Sequence, residues 1–327
     1  MKKVILQLVW QHQFADYTNN MEFIMRSILS RKAKTLSILL LGLSVLFATN
    51  SLATPTTTEY GIILNLSGKQ RMLTQKMSKQ VVLIALQFEV DDNVEKLAVS
   101  SELFAKTLQG LRKGDADLEL PTTSSEDILA QLTKIDKLWL EFVPAINAII
   151  ASKTVTKDQL ASIASLNLPL LQEMNKCVKL YEKDSYGSGI IADPGLSVSI
   201  NLAGKQRMLT QKMSKEFFLI AYGYEVGKNK ANLTKTYSLF DRTLQGLLHG
   251  DSTLNLSGTK SPSFIRQLKR VERLWYPFME LVSYAADSKN ASIARGQIKT
   301  VAETNIPLLK QMDKVVGMYK RQANEQY

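Results

Sequence analysis

Cysteine is almost missing from these 327 residues, with Cys177 standing alone. An intramolecular disulfide is therefore excluded, as is a thiolate metal cluster within one chain. Histidine is nearly as scarce: His249 is the only one beyond the first fifty residues. That removes the usual histidine-rich metal sites and leaves no Ser-His-Asp triad in the first half of the mature chain. Strand-like alternation of useful length is lacking too. So is a dense basic stripe with interleaved aromatics, so nucleic acid is not an expected partner. The net charge of +11 overstates the basic character. Six Lys/Arg and two Asp/Glu lie in residues 1–53, and without them the balance falls to near +7.

No apolar run of membrane-spanning length follows Ala53. The run Leu36–Ala48 is itself short of the roughly 20 residues that a span requires. Arg31, Lys32 and Lys34 precede it and Ser51-Leu52-Ala53 follows, small residues at the first and third positions, as a secretory cleavage site requires. Residues 1–53 read as a signal peptide, with Thr54 as the first mature residue and the periplasm as destination. Residues 1–20 fit no signal design, which leaves Met21 or Met25 as alternative starts. An uncleaved leader anchored in the inner membrane is the other reading.

What the chain does have is a repeat. Asn65–Lys79 reads NLSGKQRMLTQKMSK and Asn201–Lys215 reads NLAGKQRMLTQKMSK, identical at fourteen of fifteen positions. The offset of 136 residues continues: Phe104 matches Phe240, Thr107–Leu111 matches Thr243–Leu247, and Trp139 matches Trp275. Two extra residues then enter the second copy, because Asn167 and its neighbours align with Asn305 at an offset of 138. Internal similarity of this period means one domain written twice. The expected division is residues 54–190 and 191–327.

Each copy reads as four helical segments, roughly 58–90, 93–113, 125–152 and 157–184, then 195–226, 229–249, 261–288 and 292–323. Ile63, Leu66, Leu73, Met77, Ile84 and Phe88 recur at helical spacing. Gly114-Asp115 and Gly250-Asp251 suit helix ends, and Asp193-Pro194-Gly195 breaks the chain between copies. Long helices joined by short loops predict an all-α protein of two tandem antiparallel four-helix bundles. Pro169 and Pro307 are expected to start the last helices rather than to kink them.

On a helical wheel Leu66, Leu73 and Met77 share the core side. Asn65, Gly68, Arg71, Met72 and Gln75 fall within about 120° on the other side, as do Asn201, Gly204, Arg207, Met208 and Gln211. The 35 positions that follow keep only 15 identities. Recent duplication would have preserved them all alike, so this face is under its own constraint. Glycine admits a close approach, arginine offers a planar fork for an oxyanion, and the amides add neutral donors. Face-to-face packing of the two first helices would bring both arginines to one pocket.

The pattern Asn-x-x-Gly-x-x-Arg-Met-x-x-Gln resembles the periplasmic sensor domain of the PilJ and nitrate/nitrite sensor-kinase type, found in type IV pilus chemoreceptors and nitrate-responsive kinases. The resemblance implies that the ten residues above bind a small anion such as nitrate or nitrite. In the nitrate sensors the motif arginine, here Arg71 and Arg207, meets the anion between first helices of two protomers. Here the contact is expected within one chain, with a homodimer as the alternative. Output is expected through a membrane-bound sensor kinase or chemoreceptor. The alternative is an interaction or scaffolding module of a chemosensory or pilus system without a small ligand.

Bland readings cover the other residues. Lys69 and Gln70 do not complete a phosphate loop. Trp139, Trp275 and the methionines at 77, 174, 213 and 312 read as core, Cys177 as a buried thiol, and Lys69, Lys76 and Lys79 as a solvated edge. Neither copy repeats a nucleophile with a base, a carboxylate pair or a metal constellation, so no enzyme activity, metal or cofactor is expected.

Overall fold

A computed structural model describes residues 55–187, 194–290 and 292–325. The expected leader and cleavage site lie outside them. The first copy folds into α1 (Thr57–Ala85), α2 (Val90–Lys113), α3 (Glu126–Ser152) and α4 (Lys157–Gly187). The second folds into α5 (Pro194–Tyr222), α6 (Val226–His249), α7 (Pro262–Ala286) and α8 (Arg295–Glu325). The all-α expectation holds. A ladder of β1 (Gly114–Asp115) against β2 (Leu120–Thr122) is the sole paired sheet among the described residues.

Local chemistry sets the helix ends. Thr56 and Glu59 form a capping box at the start of α1, the Thr56 amide donating to Glu59 at 2.7 Å. Ser261 followed by Pro262 opens α7. Gly114 and Gly250, at φ 81° and 96°, close α2 and α6. α1 stops five residues short of the expected end, at the α1–α2 turn. In the second copy Gly223 marks the same turn at φ 87°, but in the first Gln87 carries the left-handed conformation at φ 55°.

Pro169 and Pro307 do not start helices. Each sits inside a continuous 31-residue helix. An interior proline costs about 3 kcal/mol. Starting α4 at Pro169 would forfeit more, since Leu160 and Ile163 before it are as buried as Leu170 and Met174 after it.

α1 packs on α2 and α4, α5 packs on α6 and α8, and the two first helices pack on each other. Both four-helix groups thus belong to one compact unit, Leu52–Tyr327. Arg207 bonds Asn65 while Lys215, two turns on, bonds Gln75, so α1 and α5 run parallel. Between Ser67 and Ile84 only Lys69 and Lys76 of α1 escape full burial. Lys79, expected at a solvated edge, is 4% exposed. The reason is that α1 has two buried sides, its own core and the seam with α5.

Within each bundle the tryptophans anchor the core. Trp275 and Trp139 meet Phe240 and Phe104 with ring centroids 4.3 and 4.5 Å apart. The repeated Thr-Leu-Gln-Gly-Leu stretch has a packing cause: a Cβ added at Gly246 would stand 2.8 Å from Leu256 Cδ1 and 3.2 Å from Asp251 Cβ. Gly246→Ala is expected to destabilise by about 1 kcal/mol, although alanine is the better helix former. Urea unfolding measures this, and a stabilised variant would contradict it.

Candidate functional site

The seam between α1 and α5 carries the repeated polar stretch. Arg71 and Arg207 are 4% and 5% exposed, and each reaches across to the other copy. Arg71 Nη2 donates to Asn201 Oδ1 at 3.1 Å, and Arg207 Nη1 donates to Asn65 Oδ1 at 3.2 Å. The two glycines make the crossing feasible. A Cβ on Gly68 would lie 3.4 Å from Arg71 Nη2 and 3.8 Å from Arg207 Nη2, and one on Gly204 would lie 3.7 Å from both. The two Nη2 atoms are thus no more than ~7 Å apart, where like charges repel by about 2 kcal/mol at an effective dielectric near 20.

The last helix of each bundle closes the site from the sides. Arg71 Nη1 meets Asn175 Oδ1 at 3.4 Å, and Arg207 Nη1 meets Asp313 Oδ1 at 2.9 Å. Asn175 and Asp313 are equivalent at the 138 offset, so the pseudo-symmetry breaks here: one arginine has an amide, the other a carboxylate. Both Nε atoms are buried without a hydrogen-bond partner. Leaving such donors unmade costs about 1–3 kcal/mol each. The cleft between them is narrow, with a cavity volume of about 10 Å³, and Glu182 stands on its wall with Asn65, Asn201 and both arginines.

Burial pulls the Arg71 guanidinium down to about 10, with Glu182 opposing and Arg207 adding to the shift. It stays charged at neutral pH. Burial pushes the Glu182 carboxyl up, against the pull of Arg71 and Lys179.

Six of the ten residues singled out from sequence line this cleft: Asn65, Gly68, Arg71, Asn201, Gly204 and Arg207. The other four stand elsewhere. Met72 and Met208 belong to the hydrophobic core. Gln75 and Gln211 join a second buried network further along the seam. There Lys215 Nζ donates to Gln75 Oε1 at 3.0 Å and to Asn167 Oδ1 at 2.8 Å. Lys79 Nζ and Gln211 Nε2 both donate to Asn305 Oδ1 at 2.9 Å. A wheel gives the side of a helix but not which partner stands at each height.

Sequence reasoning missed Asn175, Glu182 and Asp313. A signal existed for two of them, because Asn175 and Asp313 directly follow the aligned stretches that begin at Asn167 and Asn305. Groups of three or more His, Cys, Asp or Glu able to hold a metal do not occur among the described residues. No described helix is long and apolar enough to cross a membrane.

Comparison with known proteins places these features in a family. The chain is 27% identical over 126 residues to the methyl-accepting chemotaxis protein McpN of Pseudomonas aeruginosa; the match covers 38% of this chain and 22% of that protein. It therefore spans about a fifth of the curated relative. Among solved structures, the ligand-binding domain of the P. aeruginosa nitrate receptor McpN aligns with 98% of its own length on 40% of this chain, at 25% identity and a TM-score of 0.34. The family profile described as the N-terminal part of type IV pili methyl-accepting chemotaxis transducers matches residues 61–165 and again 194–301, more than half of the chain. The chain belongs to this PilJ family of chemotaxis-transducer sensory domains.

Proposed function

We propose that this chain is an exported, non-catalytic sensory protein. Its two repeats, 54–190 and 191–327, act as the halves of one receptor for a small anion of the nitrate or nitrite kind. One observation carries the reading. Two buried arginines, one from each repeat, converge beside the same pair of glycines, with both Nε donors unpartnered. Family membership and the relative named as a nitrate receptor support it. A bound anion would relieve the repulsion between the guanidinium groups and accept charge-assisted hydrogen bonds worth about 1.5–3 kcal/mol each. A membrane-bound chemoreceptor or sensor kinase would read the occupied state.

Calorimetry with nitrate, nitrite and sulfate on the mature protein tests the proposal. Removing one charge-assisted donor pair is expected to weaken nitrate binding by about 2–3 kcal/mol, so Arg71→Ala/Arg207→Ala should give no measurable heat. Unchanged binding in that folded variant would rule the site out.

A second reading is favoured by the Arg207–Asp313 ion pair at 2.9 Å: the seam is a structural interface, and the protein is an interaction module of a chemosensory or pilus system. On that reading Arg71→Met/Arg207→Met alters stability alone, and a partner is recovered with or without the arginines.

A further inference from the structure

The two repeats have diverged in charge at one end of the molecule. Because α1 and α5 run parallel, the starts of α1, α3, α5 and α7 and the end of α8 share that end. Phe264 on the first turn of α7 meets Tyr319 near the end of α8, with ring centroids 4.5 Å apart. In the first repeat Glu59, Asp115 and Glu119 line a cavity of about 400 Å³, and no described cation joins them. Asp117 in the same turn, and Glu126 and Asp127 at the start of α3, are exposed. Lys106 is bonded to Asp117 and lies 4.0 Å from Asp115, one cation shared by two carboxylates. At the positions equivalent to these carboxylates the second repeat keeps only Asp251, which Arg242 holds at 2.7 Å.

Cations stand there instead. Lys260 and Arg321 line a cavity of about 580 Å³ at the start of α7, and no described carboxylate joins them. Lys260 and Arg266, both exposed, occupy positions where the first repeat has Ser124 and Ala130. The first turn of α7 carries no acid, so the positive end of its dipole adds to these charges, whereas Glu126 and Asp127 offset that of α3. Glu119 lies within electrostatic reach of Lys320 on α8, so the two cavities adjoin on one face. Glu119 also keeps a left-handed backbone at φ 54°, where the second repeat has Asn255, a residue better suited to it, at φ 53°. Its carboxylate is present against the local backbone preference.

A partner of one sign would match only half of this face. A second copy of the chain matches both halves, because a two-fold axis perpendicular to α1 and α5 turns the end onto itself and exchanges the repeats. The acidic cavity of each copy then faces the basic cavity of the other, twice over, and the contact closes as a dimer. Two adjoining contacts also suit the roughly 1,200–2,000 Å² that a stable pair buries. We infer that two copies of this chain associate end to end about such an axis, with Asp117 and Glu119 of each reaching Lys260 and Arg321 of the other. The contact uses neither arginine of the seam, so it is independent of the anion-binding reading above.

Sedimentation equilibrium of the mature protein over a range of concentrations, at about 0.05 M and about 0.5 M salt, tests the pairing. A monomer–dimer equilibrium is expected, its association constant falling at least about tenfold at the higher salt as the facing charges are screened. Asp117→Lys/Glu119→Lys reverses the acidic half of the face, and Lys260→Glu/Arg321→Glu reverses the basic half. Each variant alone should be monomeric. Mixed together they should form a dimer of one copy of each, since every facing pair is again opposite in sign. All four positions are exposed, and helical circular dichroism checks that both variants fold. A wild-type monomer under every condition would overturn the inference, as would a dimer that survives either reversal or a mixture that stays monomeric. Binding of a monomeric wild type to vesicles of anionic lipid, abolished in Lys260→Glu/Arg321→Glu, would assign the basic half to a membrane surface and equally overturn it.

Discussion

Replacing Asn305 with leucine is expected to lower the unfolding free energy by about 3–5 kcal/mol. Asn305 is fully buried and makes four hydrogen bonds at the seam. Its Oδ1 accepts from Lys79 of the first repeat and from Gln211 of its own, and its Nδ2 donates to the Thr210 carbonyl at 3.0 Å and to Ser214 Oγ at 2.6 Å. Leucine has the same branched outline and is bulkier, so the loss is not a cavity effect. It comes from stranding the Lys79 amine and the Gln211 amide where water does not reach, whereas Ser214 Oγ still donates to the Thr210 carbonyl. A double-mutant cycle separates the largest part: adding Lys79→Met removes the stranded amine and should recover at least about 1 kcal/mol. Chemical denaturation of the four proteins measures it. A loss under about 1 kcal/mol in Asn305→Leu, or strict additivity in the cycle, would show that the network contributes little.

Stability should rise by up to about 1.4 kcal/mol per pH unit for each of two lysines as the solution is brought from pH 7 toward 9. Lys79 and Lys215 cross the seam in opposite senses, each bonded to an asparagine of the other repeat. Burial pulls Lys79 down to about 7, with Lys76 and Lys96 adding and Asp92 opposing. Burial pulls Lys215 down to about 8, opposed by Glu216 and aided by Lys212. In the unfolded chain both return to 10.5. Between the folded and unfolded values the unfolded state binds more protons, so stability increases with pH and is lost as pH falls through the folded values. Above pH 9 the rise slackens, because one opposing group begins to cancel one of the two lysines. Burial holds Cys177 up at about 12 from 9.0, so the unfolded state then releases a proton that the folded state keeps. Urea midpoints at intervals from pH 7 to 9, beside Lys79→Met/Lys215→Met, provide the check. A flat profile in the parent, or an equal slope in the double variant, would show that these lysines are not the groups that titrate.

Much of the fold could be read from residue order. Helical spacing of Leu, Ile and Met and glycines at 114 and 250 act within a few residues, and the eight helices of the described residues stand close to their expected spans. The turn at Gln87 takes a left-handed backbone without the glycine that would announce it. The helices pass through Pro169 and Pro307 because burial on both sides of each proline outweighs a local penalty that spacing alone makes look decisive.

Near-identity of two fifteen-residue stretches, against sparse identity beside them, was enough to mark one side of α1 and α5 as constrained and to single out Arg71 and Arg207. Those facts are chemical and local, so the sequence by itself determined them, together with the all-α architecture and the doubled plan. The tertiary structure alone decided what the marked side meets. It parallels α1 with α5, crosses each arginine to the other repeat's asparagine, moves Gln75 and Gln211 into a separate network with the buried lysines, and brings Asn175, Glu182 and Asp313 from helices more than a hundred residues away in the chain. Spacing along a chain encodes which way a side chain points from its own helix. Which partner waits there is set by how whole helices pack, and that depends on the summed burial of both bundles.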